Sequence, residues 1–297
     1  MTDNSATGTR ARILNGRALA KQVRGELRVA VEGLRERGIV PMLAVFLVGD
    51  DPASAVYVRN KGKAAERVGV SVRTFHLPAD TSQVELLARI RAQVEDDAVD
   101  GILVQLPLPA HIDPDTVLDA VPAHKDVDGF HPENLGLLVQ GRPRFIAATP
   151  RGCMRLIAES GLDLAGKRAV VVGRSNIVGK PMALLLTNAH ATVTVCHSRT
   201  RDLAAIVAQA DVLVAAVGRP EMVRGAWIKP GAVVIDVGIT RRADGSLVGD
   251  VEFAAAAERA SAITPVPRGV GPMTIVSLLE NTVHAARLRA VRTGTPV

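Results

Sequence analysis

Tyr57 is the only tyrosine in 297 residues, and Lys61 follows it four positions later in the stretch "SAVYVRNK". On a helix these two share a face, with Ser54 one turn earlier. A phenol offers a flat platform for a ring, and an amine buried beside it acquires the lowered pKa that acid/base work at neutral pH requires. The same pair also suits the rim of an ordinary amphipathic helix, where both side chains keep their polar ends in water. Farther along, "VQLPLP" closes an apolar run and places Gln105 at the carboxyl edge of a strand, where α/β proteins bind ligands. Its amide both donates and accepts. "KDVDGFHP" then adds Asp126 and Asp128. Their spacing lacks the ligand set of a calcium loop, so no metal is implied. A carboxylate there fits the amine-and-amide edge of a heterocycle.

A second constellation lies in "VVVGRSNIVGKP", which follows a strand pattern and opens a helix pattern. Gly173 permits a tight turn beside a pyrophosphate, the backbone N–H groups at the helix start face the anion, and Gly179 permits close helix–strand approach. The spacing is one residue longer than G-x-G-x-x-G, and a plain glycine-capped strand-to-helix turn is the competing reading. NAD-binding folds carry an acid at the end of the next strand. Here "ATVTVCHS" ends in His197, Ser198 and Arg199. A hydroxyl and a guanidinium suit a 2′-phosphate, as does Arg174, so the pattern predicts NADP over NAD. The alternative is that Arg199 is an ordinary solvated charge.

The elements that must position these residues alternate between apolar strands and amphipathic helices, which predicts an α/β protein. A helix is expected from Gly16 to Arg37, a buried strand in "PMLAVFLVGD", a helix ending near Gly69, a strand in "SVRTFHLP", a helix from Gln83 to Glu95 and a strand in "VDGILVQLPLP". The loop-rich stretch from Pro109 to Pro150 is long enough to be functional. A helix from Arg151 to Ser160 opens the second half, and a closing helix from Thr274 to Ala290 is long enough to return to the first domain. The expected division is 11–148 plus 273–297 for a substrate domain, 149–272 for a Rossmann-type nucleotide domain, and 1–10 as a flexible tail. Net charge is +6, but aromatics are only 2% of the chain, which argues against nucleic-acid binding by base stacking and calls for an aliphatic core. No apolar run approaches the ~18 residues of a membrane span. The polar N-terminus lacks a signal-peptide core, and two cysteines in apolar segments, Cys153 and Cys196, fit reduced thiols, so a cytoplasmic address is expected.

A Y-x-x-x-K pair also marks short-chain dehydrogenases, but there the glycine turn precedes it, and here Gly173 comes more than a hundred residues later. The blocks "SAVYVRNK", "VQLPLP", "KDVDGFHP", "TPRGC", "VVGRSNIVGKPM", "TVCHSRT", "VGRPEMV", "GAVVIDVGI", "VGDV" and "ITPVPRGVGPMT" occur in the order seen in bifunctional methylenetetrahydrofolate dehydrogenase/cyclohydrolase. The chain resembles that family from about Ile13 to about Ala290.

The resemblance implies NADP-dependent oxidation of 5,10-methylenetetrahydrofolate and hydrolysis of the methenyl product to 10-formyltetrahydrofolate. It implies a homodimer serving one-carbon metabolism, including purine, methionine and histidine synthesis. Lys61 matches the catalytic lysine, Gln105 its assistant, Tyr57 the ring that packs on the pterin, and Asp128 the carboxylate at the pterin's amino edge. Ser54 and Pro272 fall among the substrate-binding positions, while Gly173, Arg174, Ser175, Ser198 and Ile239 match positions that contact NADP. The sequence departs from the family at Arg268, which replaces a glycine; if that position needs a positive φ, the substitution costs roughly 1 kcal/mol or more. Ala147 and Ala148 replace Pro-Cys, and Leu137 replaces a basic or polar residue. Competing readings are a dehydrogenase resembling shikimate dehydrogenase, an NADP-binding sensor, and a family member that keeps only the dehydrogenase. Lys61 with Gln105 argues against the last two, and "VQLPLP" with "KDVDGF" against the first.

Overall fold

The computed structural model describes residues 11–294. The expected tail, residues 1–10, lies outside the described residues. The first half runs β1 (Arg12–Ile13), α1 (Gly16–Arg35), β2 (Met42–Val48), α2 (Pro52–Val68), β3 (Ser71–Leu77), α3 (Gln83–Glu95), β4 (Gly101–Val104), α4 (Pro114–Asp119) and α5 (Pro132–Val139). The second runs α6 (Ala148–Glu159), β5 (Arg168–Val172), α7 (Gly179–Asn188), β6 (Thr192–Cys196), α8 (Leu203–Val207), β7 (Val212–Ala215), β8 (Val233–Asp236), β9 (Thr240–Arg241), β10 (Leu247–Val248), α9 (Phe253–Ala257), β11 (Ala262–Ile263) and α10 (Val270–Arg292).

The chain forms two compact units, one of Ala20–Ala148 with Thr274–Val297, the other of Thr149–Met273 with the segment ending at Leu19. The expected first boundary is therefore corrected: residues 11–19 go with the second unit. The cause is β1, which pairs in parallel with β11 through Arg12–Ala262 and Ile13–Ile263. Two residues carry no readable period, so this strand escapes pattern analysis.

In the first unit a parallel three-stranded sheet has the order β3-β2-β4. β2 is central and buried on both faces, as its unbroken apolar run requires. The buried cluster around β2 and β4 is aliphatic apart from Phe46, which stacks on Phe75 with centroids 4.7 Å apart. From Thr274 onward α10 belongs to this unit and is tied to it by polar contacts. Asn281 donates to the carbonyls of Val127 (2.7 Å) and Ile146 (2.8 Å), and Arg289 pairs with the buried Asp100 at 2.6 Å. The helix begins at Val270, four residues before the expected start. Pro272 falls in its first turn, where a missing N–H removes no helical bond.

In the second unit a six-stranded sheet has the order β1-β11-β8-β7-β5-β6, all pairs parallel. β5 is followed in sequence by β6 on one side and β7 on the other, so the connections diverge at β5. This is a doubly wound arrangement with its crevice at the carboxyl ends of β5 and β7. The free cysteines are both buried, and burial pushes the Cys153 thiol up to about 12.

Arg268 has φ +85° and is exposed. The glycine the family places there would relieve about 1–2 kcal/mol of left-handed strain, against about 0.5–1 kcal/mol of added chain entropy. Arg268→Gly is thus expected to raise unfolding stability by about 0.5–1 kcal/mol in urea denaturation. An unchanged or lower midpoint would show that the arginine side chain makes good its own strain.

Candidate active site

α2 is held in place by its ends. Asp51 accepts the N–H of Ser54 at 2.7 Å, Pro52 opens the first turn, and Gly69 closes the helix in the left-handed conformation with φ +83°. This anchoring buries Ser54, leaves Tyr57 38% exposed, and turns Lys61 inward along the same face. The Lys61 Nζ donates to Gln105 Oε1 at 3.0 Å. Gln105 Nε2 donates to the Leu106 carbonyl at 2.6 Å, which fixes the amide with its oxygen toward the amine.

The topology explains this meeting of residues 44 positions apart. β2 leads to α2 and β3 on one side and lies beside β4 on the other, so the carboxyl ends of β2 and β4 form the switch point of this sheet. Lys61 arrives on the helix after β2, and Gln105 directly follows β4. The segment after α4 runs alongside β4: Ile102 bridges Asp126, and its N–H donates to the Lys125 carbonyl at 2.8 Å. That brings Asp128 to the same edge.

The two acids of "KDVDGFHP" divide their work. Asp126 is buried and structural: it accepts N–H groups from Gly129 (3.1 Å) and His131 (2.8 Å) and the Asn134 amide (2.9 Å). Lys125 is likewise spent, donating to the carbonyls of Val94 and Asp96 at 2.8 Å, where α3 ends. Asp128 has neither task. Burial raises its carboxyl to about 7, with the Lys61 charge pulling the other way. Burial lowers the Lys61 amine, and the Asp128 charge opposes it. An amine brought down and a carboxyl brought up form a coupled pair able to hold or release a proton near neutrality.

The second cluster surrounds the end of β5. Gly173 has φ +126°, and a Cβ there would stand 2.2 Å from the Ala216 carbonyl oxygen; one on Gly179 would stand 2.2 Å from that of Gly173. Only glycine fits at either position. Ser175 Oγ accepts the N–H groups of Val178 (3.2 Å) and Gly179 (3.4 Å), which shapes the turn into α7. At the end of β6, His197 Nδ1 accepts the Arg199 N–H at 3.2 Å. Ser198 and Arg199 are exposed there, as are Arg174, Ser175 and Ile239. Neither Arg174 nor Arg199 is engaged in an ion pair among the described residues. Two free guanidiniums, a hydroxyl and no acid at the end of β6 fit a phosphorylated ribose. Pro272 belongs to this unit, in the first turn of α10. Sequence reasoning gave no role to Asp236 and Asp250, which organise the loops beyond β7 and β8; their only signal was the isolated acid in "VVIDVG" and in "VGDV".

Among the described residues no group of three or more His, Cys, Asp or Glu side chains could hold a metal ion, and no helix is long and apolar enough to cross a membrane.

The family profile of the tetrahydrofolate dehydrogenase/cyclohydrolase catalytic domain matches residues 14–128, and that of the corresponding NAD(P)-binding domain matches residues 147–290. The chain is 60% identical to the bifunctional protein FolD of Magnetococcus marinus over 278 residues, covering 93% of this chain and 98% of that protein. A crystal structure of the bifunctional enzyme FolD, methylenetetrahydrofolate dehydrogenase/cyclohydrolase, from Campylobacter jejuni superposes with a TM-score of 0.92 at 48% identity, covering 94% of this chain and 99% of that one. The Trypanosoma brucei enzyme, solved with NADP cofactor and an inhibitor, superposes with a TM-score of 0.91 at 43% identity, covering 95% and 99%.

Proposed function

Because the chain belongs to the tetrahydrofolate dehydrogenase/cyclohydrolase family, we infer that it oxidises 5,10-methylenetetrahydrofolate with NADP and hydrolyses the product to 10-formyltetrahydrofolate. The observation that carries the reading is the Lys61–Gln105 hydrogen bond beside Asp128 at the carboxyl ends of β2 and β4. NADP, when bound, supplies the hydride acceptor for the one-carbon bridge. Every other task falls to side chains.

In this proposal Tyr57 lies under the flat pterin and Asp128 holds its amino edge, with Ser54 and Pro272 as further substrate positions. The oxidation transfers a hydride and releases no proton, so it asks the chain for orientation and a dry site. Hydrolysis asks for more. Water adds to the cationic methenyl carbon and loses a proton; Lys61 Nζ, its pKa lowered by burial, accepts that proton and returns it to the ring nitrogen as the carbon–nitrogen bond breaks and the carbinol O–H gives up its own proton to leave the formyl carbonyl, so one proton is released overall. Gln105 keeps Nζ aimed throughout. In the nucleotide unit, Gly173 admits the pyrophosphate, Arg174 and Ser175 line the turn, Ser198 and Arg199 hold the 2′-phosphate, and Ile239 flanks the nicotinamide end. By the same resemblance, the protein is proposed to be a cytoplasmic homodimer supplying one-carbon units to purine, methionine and histidine synthesis.

The nucleotide assignment is tested by Arg199→Ala. The expected result is a rise of about 10- to 100-fold in the KM for NADP, the worth of one charge-assisted phosphate contact of roughly 1.5–3 kcal/mol, with weak NAD-supported activity unchanged. Equal effects on NADP and NAD would remove Arg199 from the 2′-phosphate site.

A further inference from the structure

Asp236 and Asp250 lie buried at the carboxyl edge of the six-stranded sheet, 3% and 0% exposed, and neither has a cationic partner among the described residues. Uncompensated buried carboxylates are costly and persist only where hydrogen bonds hold them. Here backbone N–H groups do so. Asp250 accepts three in succession from the loop after β7: Val217 at 2.6 Å, Gly218 at 3.1 Å and Arg219 at 2.8 Å. Asp236 accepts three more: Gly238 at 3.0 Å, Asp250 at 2.9 Å and Val251 at 2.9 Å. Its own N–H donates to Thr264 Oγ1 at 2.7 Å. The packing admits nothing larger than glycine beside either acid. A Cβ on Gly238 would stand 2.3 Å from Asp250, and one on Gly249 would stand 1.9 Å from Asp236.

The loop that Asp250 gathers follows Ala216, whose carbonyl oxygen faces Gly173 in the nucleotide turn. The one that Asp236 gathers leads directly into Ile239. Both lie on the crevice side of the doubly wound sheet. We propose that Asp250 and Asp236 are positioning residues for the nicotinamide nucleotide: they set the backbones of the loop beside the Gly173 turn and of the next loop along the sheet, which leads into Ile239, and so govern NADP affinity without touching the nucleotide. This deepens the NADP reading and rests on it. Burial raises Asp236 to about 7 against the pull of its N–H donors, which indicates the cost that the arrangement sustains. All oxygens of both acids are taken by N–H groups, so the carboxylates face inward and act through backbone alone.

The test is Asp250→Asn, which keeps the shape but sets an amide N–H against one of the loop's donors. The expected result is a KM for NADP raised about tenfold or more, with hydrolysis of added methenyltetrahydrofolate, measured without nucleotide, within twofold of the parent. Thr264→Val is a milder second variant that removes one acceptor from the Asp236 backbone and keeps the volume; a smaller shift in the same direction is expected. An unchanged KM for NADP in both variants overturns the proposal. So does a parallel loss of hydrolysis and NADP affinity, which would mark the pair as general scaffold. Calorimetric titration of the parent with NADP separates the levels: a parent that binds no NADP overturns the nucleotide reading itself, whereas binding by the parent with no change in the variants overturns only the roles of the two acids.

Discussion

Lys61→Met is expected to lower hydrolysis of methenyltetrahydrofolate by about 10²–10⁴-fold, the usual share of a positioned acid/base group, while NADP binding stays at the parent level. Methionine keeps the length and apolar stem of the side chain, so α2 and its caps are undisturbed. What disappears is the amine that Gln105 orients at 3.0 Å and that burial holds below its ordinary pKa. Stopped-flow decay of the methenyl absorbance measures the loss, and nucleotide titration supplies the control. Hydrolysis within a few-fold of the parent would remove Lys61 from the proton path and leave it a substrate contact at most.

Arg289→Ala is expected to destabilise the first unit by about 3–5 kcal/mol, because it leaves a buried carboxylate without its partner. The Asp100 side chain has no exposure and, once the guanidinium is gone, keeps the Met42 N–H, at 2.9 Å, as its hydrogen-bond donor, with the Lys125 charge as a weaker support. Burial already raises the Asp100 pKa, and the Arg289 hydrogen bond is the largest influence opposing it. The variant's folded-state pKa therefore rises further above the unfolded value. Between those two values the folded state binds the extra proton, so variant stability falls as pH rises and recovers on acidification. Urea denaturation at mildly acidic and mildly alkaline pH tests this: the deficit is expected to be larger at the alkaline end. A loss below about 1 kcal/mol at both would show water reaching Asp100.

How much of this was legible depended on the range of each interaction. Gly173 and Gly179 could be read directly, since a strand, a turn and a helix in succession state a local backbone need. So could the pairing of Tyr57 with Lys61 on one face, because helical period is local. That Lys61 reaches Gln105 was not local: it depends on β4 lying beside β2, and only the family resemblance put the two in one site. Asp126 and Asp128 are two residues apart and chemically identical, so no pattern separates the acid that knits a loop from the one facing the amine. Apart from the Gly238 N–H two residues from Asp236, Asp236 and Asp250 act on backbone N–H groups across 14 to 33 residues, a bond type that leaves no periodic trace. Arg268 shows the reverse case. Its replacement of a glycine raised the question of a positive φ, and the backbone has one.

The central claim is that one chain carries out both reactions in sequence. The most direct measurement follows the NADPH and methenyl absorbance bands together in one cuvette of purified protein, 5,10-methylenetetrahydrofolate and NADP, with NAD in a parallel cuvette. The account predicts NADPH rising steadily while the methenyl band stays low, and much slower reduction of NAD. NADPH formed with stoichiometric accumulation of the methenyl compound would contradict the hydrolase, and absence of turnover with either nucleotide would contradict the account as a whole.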